Sequence, residues 1–180
     1  MSSAIDQYRA LRDRIDRAAG RLGDMHCKHL ACRPGCHDCC TDLTVSAVEY
    51  AAILNDLRQA GITADALPFD PAAACAFLKD GLCMLYRLRP LICRTHGLPV
   101  AFLNEPEDAP DGPEMSVSFC PKNFTDVVPE DLAFGPQSTL DLDELNAELA
   151  EIGMRFVDEI GAGASPASRR VPLRQLRADL

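Results

Sequence analysis

The sequence predicts a mainly α-helical protein, a single compact domain in which helices carry irregular metal-binding loops and a small β-hairpin. Two stretches that open on a cap signal and continue as an amphipathic stripe predict the helices. Nine cysteines, four of them inside Cys32-Arg33-Pro34-Gly35-Cys36-His37-Asp38-Cys39-Cys40, claim the loops. An apolar fraction of 47% over 180 residues is enough for one ordinary core. We place that domain at residues 1–160 and a flexible basic C-terminal tail at 161–180.

The first helix is read over residues 3 to 22, with Ile5, Tyr8, Leu11, Ile15, Ala18 or Ala19 and Leu22 on its buried face. Ser3 caps its start, and Gly20 and Gly23 weaken its end. The second opens on a capping box, Ser46 with Glu49, flanked by the Val45 and Tyr50 staple. Tyr50, Ile53, Leu54 and Leu57 then form its stripe, and Gly61 closes it.

Residues 75 to 86 read as a hairpin around Lys79-Asp80-Gly81, which puts Cys75 and Cys83 on neighbouring strands. A helix over the alanine-rich 71–78 competes with that reading. From Gly97 to Pro136 the prolines at 99, 106, 110, 113, 121, 129 and 136 predict irregular chain, with one short strand at 117–119. A last helix follows Asp141 and Glu144, its stripe Leu142, Leu145, Leu149, Ile152, Phe156 and Ile160. Arg169, Arg170, Arg174 and Arg177 make the tail basic.

A net charge of −9 argues against an electrostatic grip on nucleic acid or an anionic membrane. The polar N-terminus offers neither a signal-peptide core nor a membrane span, which predicts a cytoplasmic location. Thiols stay reduced there, so an odd number of cysteines points to metal or redox chemistry rather than a disulfide frame. We find no P-loop, dinucleotide fingerprint, nucleophile elbow or internal repeat.

With Cys27 set aside, eight thiols remain: Cys32, Cys36, Cys39, Cys40, Cys75, Cys83, Cys93 and Cys120. Four thiolates close a tetrahedral zinc site or hold one cubane cluster, so eight permit two sites, or one site with thiols to spare. Side chains of consecutive residues in extended chain point to opposite sides. Cys39 and Cys40 are therefore expected to serve different ions, or different atoms of one cluster. Arg89 and Arg94 bracket Cys93 and would offset the charge of a thiolate centre. His26, Cys27 and His29 are further candidate ligands, and His96 is the best candidate for a non-cysteine ligand or proton donor.

The cluster at 32–40, followed by Cys75-x-Phe77-Leu78-x-Asp80-Gly81-x-Cys83-x-Leu85-Tyr86-x-x-Arg89-Pro90-x-x-Cys93-Arg94 and by Cys120, resembles the YkgJ-type cysteine cluster proteins, the CxxCxxCC family. The resemblance spans residues 30–125, the motif core of the domain. The sequence departs from the family name in having three residues, not two, between Cys32 and Cys36. What the resemblance implies is a zinc- or iron-chelating domain that binds metal through these cysteines. Similarity with a flagellin lysine methylase carrying the same cluster implies an iron-sulfur centre.

The expectation is thus a metal-binding protein holding an iron-sulfur cluster or iron, with Tyr86 packed beside the centre. Its partners would be the metal ion and, for an enzyme, a protein or peptide substrate. Zinc, in a structural module or a metal carrier without catalytic activity, is the alternative.

Overall fold

The computed structural model describes residues 2–104, 112–128, 131–161 and 170–180. Helix α1, Ala4–Met25, starts where Ser3 accepts a hydrogen bond from the Asp6 amide. The Glu159 carboxylate of the last long helix accepts the Ala4 amide as well, at 2.9 and 3.0 Å, so negative charge meets the positive end of the helix dipole. The helix passes through Gly20 and Gly23 and ends at His26. Burial of Leu22 outweighs the weak helix propensity of the two glycines.

Strand β1, Thr44–Ser46, leads into helix α2, Ala47–Gln59, and the Ser46–Glu49 capping box is complete. Helix α4, Leu142–Glu159, starts on Asp141, whose carboxylate accepts from the Glu144 amide. Helices α1, α2 and α4 together enclose a core of Tyr8, Leu11, Ile15, Val48, Ala52, Leu145, Ile152 and Phe156, with Leu91 added from a short helix, α3, Leu91–Thr95.

The hairpin forms between β2, Leu78–Lys79, and β3, Leu82–Cys83, with Leu78 opposite Cys83. Asp80 and Gly81 both have positive φ, 51° and 75°, the backbone that a tight two-residue turn demands. Residues 71–77 are turns and bends, not the competing helix.

Two expectations need correction. The chain after Gly97 is more regular than its prolines suggest, because β4, Val100–Asn104, pairs antiparallel with β5, Glu114–Ser118, and parallel with β6, Leu140–Asp141. Pro99 and Pro113 stand just outside the strand ends, where their missing N–H groups cost no ladder bond. Pro106, Pro110 and Pro129 lie outside the described residues.

The end of the chain is not a free tail. Arg170–Pro172 forms β7 against β1, and Leu173 and Leu176, the latter in helix α5, Leu176–Asp179, are buried. They complete a second core with Val45, Tyr50, Ile53, Leu57, Phe77 and Leu85. Residues 162–169, Arg169 included, lie outside the described residues. Among the described residues, no helix is long and apolar enough to cross a membrane.

Candidate metal centre

All nine cysteines are free thiols. Eight of them fall into two neighbourhoods, and each neighbourhood draws on separate parts of the chain.

The first gathers Cys32, Cys36 and Cys39 with Cys120. Burial pushes the Cys32 thiol up, a hydrogen bond with Asn123 pulls it down, and the nearby Cys120, Cys36 and Cys39 thiols raise it further. Cys32 is exposed as a residue, yet its sulfur lies against Gly97: a Cβ there would be 2.9 Å from Cys32 Sγ and 3.7 Å from Cys120 Cβ. Gly97 has φ +88°, so both its backbone and its surroundings call for glycine.

Asn123, 2% exposed, ties this region together. Its Nδ2 donates to the Gly97 carbonyl at 2.5 Å, and its Oδ1 accepts from the Ala31 amide at 2.8 Å. Cys39 and Cys120 also line one cavity of about 590 Å3, together with His96, Leu98, Phe119 and Leu145.

The second neighbourhood gathers Cys40, Cys75, Cys83 and Cys93. Burial pushes Cys93 up to about 12, with Cys83, Cys75 and Cys40 adding to the rise and Arg89 opposing it. Cys40 is raised to about 11, by burial first, then by Cys39, Cys75 and Cys83. The two neighbourhoods meet at the consecutive pair Cys39 and Cys40, whose thiols lie close together rather than on opposite sides of the chain as expected. Cys75 and Cys83 pack on the second core. Cys93 is carried by α3, whose first amide, on Leu91, donates to Glu49 Oε1 at 3.0 Å. Glu49 Oε2 meanwhile caps α2 through Ser46, so one carboxylate, 3% exposed, serves both helix starts.

The two bracketing arginines point in different directions. Arg89 lowers both Cys83 and Cys93, donates to the Cys93 carbonyl at 3.3 Å and sits 3.8 Å above the Tyr86 ring. Tyr86 is 61% exposed and meets the neighbourhood through Arg89. Arg94 is buried and committed elsewhere, to Asp16 of α1 and to the carbonyls of Arg87 and Arg89. His26 and His29 lie in an aromatic cluster around Phe124 and bond to the Ser138 carbonyl and to Asp126. His96 opens on the cavity, and desolvation holds it below the usual histidine range.

Sequence reasoning missed Asn123, Gly97 and the second half of Glu49's role. A buried amide bridging two distant loops leaves no local signal, and Gly97 resembles any glycine after a helix.

Among the described residues, no three His, Cys, Asp or Glu side chains converge closely enough to hold one ion as they stand. The donor chemistry nevertheless fits: reduced thiols brought near one another from separate segments are the kind of ligand that zinc and iron-sulfur clusters take. A family model matches part of the chain, with the description "Putative zinc- or iron-chelating domain". Residues 31–109 are similar to the CxxCxxCC family model. No match was found among curated proteins or among solved structures. The CxxCxxCC stretch holds both thiol neighbourhoods except Cys120, which joins the first from outside the matched residues.

Proposed function

We propose that the protein binds iron, as an iron-sulfur or mononuclear iron centre, through Cys32, Cys36, Cys39 and Cys120 and through Cys40, Cys75, Cys83 and Cys93. The observation that carries this reading is the approach of eight free thiols from separate stretches of the chain, 32–40, 75–83, 93 and 120. Thiols at such spacing in a reducing compartment, the cytoplasm in this reading, have little reason to gather unless a cation neutralises the thiolates.

Arg89 offsets part of the remaining negative charge on the second group, with Tyr86 stacked beneath it. Arg94 would act at one remove, by fixing the segment that carries Cys93. An iron centre supplies redox or Lewis-acid chemistry when bound. The cavity beside Cys39 and Cys120 would then admit a side chain of a protein or peptide substrate, with neutral His96 able to give or take a proton at its edge. Structural zinc is the second reading, and the packing of Cys75 and Cys83 on the second core favours it.

Anaerobic purification followed by metal and acid-labile sulfide analysis with a visible spectrum tests the choice. Iron and a colour that dithionite bleaches are expected. A colourless zinc protein would support the second reading, and a metal-free protein with its full fold would overturn both.

A further inference from the structure

We propose that the two groups differ in kind: Cys32, Cys36, Cys39 and Cys120 make an open site whose ion exchanges with solvent, while Cys40, Cys75, Cys83 and Cys93 make a closed site whose ion is part of the fold. The inference rests on metal binding by these thiols and adds a division of labour between them.

Access differs first. Cys32, Cys36 and Cys39 are exposed, and Cys39 and Cys120 form part of the wall of the 590 Å3 cavity. None of the second four lines that cavity; all four, like Cys120, are partly buried, and Cys75 and Cys83 are packed on core side chains. A competing ligand or a solvent-borne chelator reaches the first group directly.

The scaffold differs too. Around the first group the loops are already fastened by protein: Asn123 bridges Ala31 and Gly97, the Phe124 amide donates to the His29 carbonyl at 2.7 Å, and Phe124 stacks on His29 and meets Phe119 edge-on. The Cys120 amide also reaches the Gly97 carbonyl, at 3.4 Å. Loss of an ion leaves those contacts in place.

The second group stands on shorter elements. Cys83 lies in a strand of two residues, Cys75 shortly before its partner strand and Cys93 in a helix of five, elements that are marginal alone and, in the case of α3, held at Leu91 by Glu49. An ion joining Cys40, the hairpin and α3 would close the long loops between them, and its binding energy would be folding energy there.

The test uses the full chain purified without oxygen and then treated with excess EDTA, following released metal and amide hydrogen exchange by mass spectrometry. About half of the metal is expected to leave first, with exchange over residues 75–95 unchanged. The remainder should leave several-fold more slowly, and residues 75–95 should lose protection in step with it. Cys36→Ser and Cys120→Ser should each abolish the fast phase and keep the wild-type protection at 75–95.

A single release phase overturns the division, as does early loss of protection at 75–95 or survival of that protection after all metal has gone. The wild-type arm needs no variant to fold. A chain isolated without metal sinks the metal reading itself, whereas a single phase sinks only the division drawn here.

Discussion

Gly97 has room for a hydrogen and little more. A methyl group there would stand 2.9 Å from Cys32 Sγ on a backbone of φ +88°, so Gly97→Ala must displace the sulfur and strain the turn together. We expect a loss of about 1–3 kcal/mol, with metal content falling by the share held in the first group. Thermal unfolding and metal analysis on one preparation check both parts. Asn123→Ala should act similarly, because it leaves the Ala31 amide without its partner and the Gly97 carbonyl with the Cys120 amide alone, at about 1–3 kcal/mol. The paired arginines separate charge balance from architecture. Arg94→Met removes a buried guanidinium from Asp16 and two carbonyls, and should destabilise by about 1–3 kcal/mol, moderated because Asp16 is half exposed and can turn to water. Arg89→Met should leave urea unfolding of the metal-free chain near wild type while the second group holds its metal less tightly in a chelator competition. Equal loss of stability from both variants would remove the distinction.

At the scale of elements, Glu49 links the start of its own helix to that of α3, whose Leu91 lies 42 residues beyond it. Glu49→Gln keeps one acceptor oxygen and replaces the other with a donor, so either Ser46 or the Leu91 amide loses its partner. The expected cost is about 1–3 kcal/mol, read as a lower urea midpoint. The caps and stripes of α1, α2 and α4 were legible because each is written within a few neighbouring residues. Ser3, Ser46 with Glu49, and Asp141 with Glu144 stand where the helices begin. The hairpin was legible for the same reason, through Asp80-Gly81. Strand β4 was hidden, and β5 was read only at its end, 117–119, because prolines at their ends read as breakers within the stretch. The docking of residues 170–180 was hidden because its partners, Val45, Tyr50 and Ile53, lie more than a hundred positions away. Leu176, 0% exposed, measures that docking: Leu176→Ala should cost about 2–5 kcal/mol. A flexible tail would show no change in the unfolding midpoint.

For the molecule as a whole, the useful division is between its two cores. The core of α1, α2 and α4 contains no cysteine, while the second has Cys75 and Cys83 packed on its flank. Eight thiols could be read from the chain as candidate ligands, but how they are grouped depends on how α3, the hairpin and the 120–124 turn meet in space. That meeting is set by Glu49, Arg94 and Asn123, three polar side chains acting across long sequence separations. Because the helical core is closed by apolar packing and by the Glu159 cap on α1, it owes nothing directly to an ion. Stripping all metal should therefore leave the amides of residues 8–22 and 145–156 protected while those of 75–95 exchange freely, which departs from all-or-none unfolding. Hydrogen exchange on the metal-free chain decides the matter. Uniform loss of protection across both regions would mean that the ions hold the helical core as well, and that the two cores fold as one unit.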